Sequence, residues 1–121
     1  MYLEHVNLTV SDLDRSVAFY SDLLDLHVRW KGPIGGDLLG AHVGDDRCYL
    51  ALFQAAHEGP VEQDYSRPGL NHFGFVVDDL DDARRRLDRL GVHVHFAPEY
   101  EPGRRIYTTD PDGHEIELVE Y

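Results

Sequence analysis

Apolar and polar residues alternate from Leu3 to Val10 and again from Leu70 to Val77, and an Asp stands just beyond each run at Asp12 and Asp79. After each Asp the apolar spacing widens to three or four positions. Period two marks a half-buried strand and period 3.6 a helix packed along one face. The first set predicts a strand over 3–10, an Asp12 N-cap and a helix over 13–24, with Leu13, Val17, Tyr20 and Leu24 on its apolar stripe and Phe19 beside them. A short strand over 26–30 follows. Gly32-Pro33-Ile34-Gly35-Gly36 reads as a break, and 38–43 with 48–54 as a hairpin around Gly44-Asp45-Asp46-Arg47. Residues 55–69 carry breakers and no periodicity, which predicts a linker or surface loop. The same order then restarts: a strand over 70–77, a helix from the Asp79 cap to about Leu90 closed by Gly91, and strands over 92–96, 104–109 and 114–121.

The restart is a repeat in residues as well as in pattern. At an offset of 67, Leu3 matches Leu70, His5 His72, Val10 Val77, Asp12 Asp79, Leu13 Leu80, Asp14 Asp81 and Leu23 Leu90. These identities fall on caps and core sites, as an internal duplication requires. The expected fold class is α+β: two tandem βαβββ modules, 1–54 and 70–121, joined by the linker 55–69 within one domain spanning 1–121. Half-chains this short bury little core alone, so the modules are expected to pack together, within the chain or with those of a partner.

Charge removes some partners. Against 11 Lys and Arg stand 23 Asp and Glu, a formal net charge of −12, and no basic stripe exists to displace counterions from a nucleic acid. Lys31 is the only lysine, a composition that suits a saline cytoplasm or a GC-rich genome. No run of 18 apolar residues predicts a membrane span and no basic, apolar leader stands at the start. With one cysteine, Cys48, a cytoplasmic location is the expectation.

The chemistry gathers on the strands. Asp110-Pro111-Asp112-Gly113 predicts a tight turn feeding the last strand, on which Ile116 and Leu118 face one way and Glu115 and Glu117 the other. Extending the repeat with a one-residue gap sets Glu117 against Ala51. His5, His72 and Glu117 thus occupy three of four related positions, and two imidazoles with one carboxylate suit a divalent first-row ion that keeps open positions for water or substrate. The residues alone leave another reading open, in which the histidines make hydrogen bonds within the sheets and Glu117 faces solvent.

His5-Val6-Asn7-Leu8-Thr9-Val10 with Asp12-Leu13-Asp14-Arg15-Ser16 and Phe19-Tyr20, then Leu70-Asn71-His72-Phe73-Gly74-Phe75, then Asp110 through Leu118, resemble the vicinal oxygen chelate superfamily over essentially the whole chain. That superfamily contains glyoxalase I, bleomycin-resistance proteins, fosfomycin-modifying enzymes and extradiol dioxygenases. The resemblance implies curled mixed sheets enclosing a cavity, commonly in a homodimer, with His5, His72 and Glu117 as metal ligands. The fourth, acidic ligand of glyoxalase I falls on Ala51, a departure that turns the expectation away from glyoxalase I. Fosfomycin-modifying members carry anion-binding basic residues, for which so acidic a chain offers no marked place. The implied function is a divalent-metal-dependent enzyme, dioxygenase-like more than glyoxalase-I-like, acting on a small substrate that chelates through vicinal oxygens. Fe(II) is the first choice of metal, with Mn, Zn or Ni next. Tyr107, on the strand expected beside that of Glu117, is the candidate catalytic hydrogen-bond donor. Tyr49, Tyr65, Tyr100 and His57 are also available, while His42, His93, His95 and His114 are expected at the surface or sheet edges and His27 and Trp30 in packing. The alternative is a metal-free binding or sequestering protein of the bleomycin-resistance type.

Overall fold

Asp12 and Asp79 start their helices in the same way. Each holds an extended backbone (φ −133° and −142°) and accepts from an amide three residues on, Arg15 N–H at 3.0 Å and Asp82 N–H at 2.9 Å. The side-chain oxygen satisfies a donor that has no partner within the helix. In the computed structural model, which describes residues Met1–Tyr121, α1 spans Leu13–Leu24 and α2 Leu80–Arg89. The chain falls into two units, Met1–Gly59 and Pro60–Tyr121. Each has one helix and one mixed sheet, which makes the protein α+β.

In the first unit β1 (His5–Val10), β2 (His27–Gly35), β3 (Leu38–Gly44) and β4 (Tyr49–Gln54) lie in the order β1-β4-β3-β2. β1 and β4 are parallel and the other pairs antiparallel. α1 packs on β2, β3 and β4 through Leu13, Ser16, Phe19, Tyr20 and Leu23. This buried face is rotated from the expected stripe, and Val17 and Leu24 lie half-buried at its margin. Beneath it Leu8, Val10, Ala41, Val43, Leu50 and Leu52 are at most 4% exposed. β2 does not stop at Gly32-Pro33; it continues to Gly35 with its ladder shifted near Pro33. β2 is an edge strand, where a missing proline N–H is tolerated. The reversal comes instead at Gly35 and Gly36, whose φ values of 142° and 57° favour residues without a Cβ.

In the second unit β5 (His72–Val76), β6 (Arg104–Thr109) and β7 (Glu115–Glu120) lie in the order β5-β7-β6, with β5 parallel and β6 antiparallel to β7. Leu80, Ala83 and Leu87 of α2 and Ile106, Ile116 and Leu118 of the sheet are buried, and α2 packs on β7. The strand expected over 92–96 is reduced to one bridge between Phe96 and Tyr107. The Thr108 hydroxyl donates to the His93 carbonyl at 2.7 Å, which diverts that carbonyl from a strand amide. Two residues beyond the bridge, Pro98 has no N–H with which to extend a ladder.

The ladders reproduce the duplication. His5 stands opposite Tyr49 and His72 opposite Glu115; Asn7 stands opposite Ala51 and Gly74 opposite Glu117. Equivalent residues are therefore 67 apart on the first strand of each unit and 66 apart on the last, as the one-residue gap requires.

The turn into β7 is built on Asp110, 4% exposed. Its carboxylate accepts from the amides of Asp112 (3.0 Å) and His114 (2.9 Å) and from the His114 ring at 2.7 Å, while Gly113 supplies a φ of 96°. His114 is thus a part of the turn and not the surface residue expected. Its hydrogen bond to Asp110 raises the imidazole pKa; burial opposes this, and the charges of Asp110 and Asp112 add to it. A raised histidine pKa contributes stability that is complete below the unfolded value of about 6.5 and is lost as pH rises through the folded value. NMR titration is expected to place the His114 midpoint above 6.5, and Asp110→Ala to bring it down while costing roughly 2–3 kcal/mol in urea unfolding near pH 6.

Candidate metal and substrate site

The parallel pairing of β5 with β7 places His72 between two carboxylates. Its Nδ1 lies 3.5 Å from Glu115 Oε1 and its Nε2 lies 3.3 Å from Glu117 Oε2. Alternation sends Ile116 and Leu118 into the core and leaves Glu115 and Glu117 together on the other face, each less than 15% exposed at the side chain. Tyr107 stands directly opposite Glu117 on β6, its ring edge-on to His72 at 5.1 Å. Burial, then hydrogen bonding with Tyr100 and the neighbouring Glu117, push its hydroxyl pKa well up, so it remains a donor at neutral pH.

Arg105 completes this group. Its Nη1 donates to Glu117 Oε1 at 3.1 Å and its Nη2 to the Pro102 carbonyl, and the guanidinium lies 4.7 Å over the Tyr100 ring. Its Nε is buried with no partner. Behind His72, the Tyr65 hydroxyl contacts both His72 Nδ1, at 3.1 Å, and Glu115 Oε1, while His95 Nε2 is 3.1 Å from Glu115 Oε2. Burial alone would raise the Glu115 pKa; the hydrogen bonds from Tyr65 and His95 and the histidine charges outweigh it and hold the carboxyl low. Tyr65, bonded to Glu115 and partly desolvated, is pushed up to about 12.

In the first unit His5 accompanies a run of rings. It stacks on Tyr49 at 5.0 Å, Tyr49 on His42 at 4.4 Å, and His42 meets Trp30 at 5.0 Å, with Arg29 4.7 Å over Tyr49. His5 Nδ1 lies 2.9 Å from Glu4 Oε1. Ala51, at the ladder position matching Glu117, is 5% exposed and has no donor atom.

Of the four residues singled out from sequence, His72, Glu117 and Tyr107 are brought together and His5 belongs to the first unit. No group of three or more His, Cys, Asp or Glu side chains has the geometry to hold a metal ion within the single chain. The structure adds Glu115, Arg105 and His95, which sequence reasoning passed over. Glu115 shares the alternation parity of Glu117, a signal available from the outset. His95 is exposed, as expected, and also reaches Glu115, while His42, expected at the surface or a sheet edge, is half-buried and stacked in the ring series.

Duplicated strand–helix–strand units with a histidine on the first strand and a glutamate on the last of one unit define a protein of the vicinal-oxygen-chelate kind. Residues 2–118 match the Glyoxalase/Bleomycin resistance protein/Dioxygenase superfamily, and the chain belongs to that family. It is similar to glutathione transferase FosA of Serratia marcescens, 36% identical over 96% of this chain and 78% of the relative. A probable lactoylglutathione lyase of Synechocystis is 28% identical over 99% of this chain and 95% of its own length. Among solved structures, a glyoxylase/bleomycin resistance protein/dioxygenase domain from Frankia superposes with a TM-score of 0.82 at 28% identity, covering 99% of this chain and 97% of that one.

The ring series makes its own prediction. Burial, followed by the charge of Arg29, lowers the His42 pKa. A depressed histidine pKa contributes stability present above about 6.5 and lost as pH falls through the folded value. His42 is expected to titrate below 6.5 by NMR, and Arg29→Ala to move its midpoint upward without restoring it fully, because burial remains.

Proposed function

We propose that this chain is a divalent-metal-dependent enzyme acting on a small substrate with two neighbouring oxygens, with His5, His72 and Glu117 as metal ligands and Tyr107 as hydrogen-bond donor. The observation that carries this reading is the 3.3 Å approach of His72 Nε2 to Glu117 Oε2 on adjacent parallel strands. Both atoms bear lone pairs when the ring is neutral at Nε2, and a cation between them satisfies both. The donor set fits a divalent ion at these two points; His5 is the third ligand, from the first unit of the same chain or of a second copy. A bound ion supplies a Lewis-acid centre with open positions for the two substrate oxygens. Arg105 fixes the Glu117 carboxylate by its other oxygen, and the protonated Tyr107 hydroxyl, bonded to Tyr100 and Glu117, donates to a substrate oxygen by giving up one of those bonds.

Within the family the reading is dioxygenase-like more than glyoxalase-I-like, because Ala51 leaves the fourth, acidic position without a donor. Fe(II) suits two imidazoles and one carboxylate and is the first choice, with Mn, Zn or Ni next. Arg105 favours a second reading: an unpartnered buried N–H beside Glu117 suits an anionic substrate, and with the similarity to FosA it supports addition of a thiol to a small anionic electrophile. The working form is a homodimer, supported by Leu3, Leu70 and Val76, which are 69–73% exposed in the single chain. No helix is long and apolar enough to cross a membrane. The single thiol of Cys48, unpaired and exposed, suits a cytoplasmic setting.

Elemental analysis of protein purified without chelator is expected to find a divalent ion, and Ala at His5, His72 or Glu117 to lower retention at least tenfold. Anaerobic loading with Fe(II), then a catechol panel and O2, is expected to give a yellow ring-cleavage product that Glu117→Ala abolishes. Consumption of an anionic epoxide with thiol by the Mn(II) form, without oxygen uptake, establishes the second reading. Equal ligand binding by metal-loaded and metal-free protein without turnover defeats both and leaves a sequestering protein. Light scattering across a dilution series is expected to show a dimer; a monomer throughout removes that part of the proposal.

A further inference from the structure

We infer that Tyr65 and Glu115 are positioning residues that hold His72 in the tautomer protonated at Nδ1, leaving the Nε2 lone pair directed at Glu117. The inference rests on the reading of His72 and Glu117 as ligands, yet its assignment follows from donors and acceptors alone. The Glu115 carboxylate can only accept, and the Tyr65 hydroxyl has one proton. Tyr65 touches Glu115 Oε1 and His72 Nδ1 together, so its proton goes to Glu115 and its oxygen is left to accept from the ring. His72 Nδ1 must then carry the hydrogen across the 3.1 Å contact. On the far side His95 Nε2 lies 3.1 Å from Glu115 Oε2 and donates there, so the second carboxylate oxygen is occupied and Oε1 stays with Tyr65.

The alternative tautomer fails at the Nδ1 end of the ring, and what it gains at the other, an Nε2–H donated to Glu117 Oε2 at 3.3 Å, goes to a carboxylate that already accepts from Arg105. With the proton on Nε2, Nδ1 would meet a hydroxyl oxygen whose only hydrogen is already committed, two lone pairs facing each other. The chain from Glu115 through Tyr65 to His72 thus sets the ring's proton on the side away from Glu117, and its Nε2 faces Glu117 Oε2 at 3.3 Å as an acceptor ready for a cation. Partners of this kind fix the tautomer of metal-binding histidines, and their loss typically weakens metal affinity 10–100-fold. Tyr65 comes from the stretch between β4 and β5, which gives that irregular segment a definite task.

The test begins on the metal-free protein, so that it does not depend on an ion being bound. Nitrogen-15 correlation spectra of His72 at roughly pH 9, above the ordinary imidazole range, report which ring nitrogen carries the proton. The expected result is Nδ1–H in the natural protein, a mixture in Tyr65→Phe and Glu115→Ala, and return of most of the Nδ1–H form in Glu115→Gln, whose amide oxygen still accepts from Tyr65. Thermal melts identify any variant that has merely failed to fold, and Tyr65→Phe, on an irregular segment, keeps the test open if Glu115→Ala does. Co(II) titration is expected to show Kd weakened about 10–100-fold in Tyr65→Phe. An Nε2–H ring in the natural protein, or the same tautomer in all the folded variants, overturns the inference. A fixed Nδ1–H ring in a protein that takes up no Co(II) sinks the metal reading and leaves the tautomer assignment standing.

Discussion

The parallel pairing of the first and last strands of the second unit is the constraint on which its chemistry depends. A parallel ladder has one register, and here it sets His72 against Glu115 and Gly74 against Glu117. Because side chains alternate along a strand, a slip of one residue would exchange Glu115 and Glu117 for Ile116 and Leu118, placing carboxylates in the core and aliphatic chains beside the histidine. Core burial and site geometry are thus one choice. The Asp110 turn guards it from the start of β7, where a buried carboxylate ties down two amides and the His114 ring.

Much of this was legible in the sequence because it is set locally. Both N-caps, both helices and all seven strands follow from period and capping residues, and the duplication places His5, His72 and the Glu117–Ala51 pair correctly relative to their ladders. Misreadings arose where local signals met tertiary ones. Gly32-Pro33 looks like an end, yet on an edge strand the missing N–H goes unmissed. The 92–96 stretch has a strand's composition but loses the His93 carbonyl to a threonine hydroxyl. Within the site, Tyr107 was accessible through its strand. Arg105 and Tyr65 were not marked as essential by spacing, since their roles come from a guanidinium folded back onto Glu117 and from an irregular segment laid against β7.

The two halves share a topology and differ in what they place on the equivalent strands. Where the second unit sets Glu115 opposite His72, the first sets Tyr49 opposite His5, and the neighbouring strands continue with His42 and Trp30. One unit gathers charge and hydrogen bonds, the other stacks rings. A net charge of −12 says little about this local division, because the total conceals Arg105, whose side chain is 12% exposed beside Glu117.

Ala51 has a consequence for descent. Every alanine codon lies one base from aspartate or from glutamate, so the position matching Glu117 lies one mutational step from a carboxylate. That step is not equally open to every ancestor. Ala51 is 5% exposed, and an ionised carboxylate introduced there without a counter-charge would carry a heavy desolvation penalty. A buried carboxylate at this ladder position needs a counter-charge in place first, as Arg105 stands beside Glu117 in the other unit. The genetic code leaves this step open, and electrostatics closes it until a counter-charge is within reach.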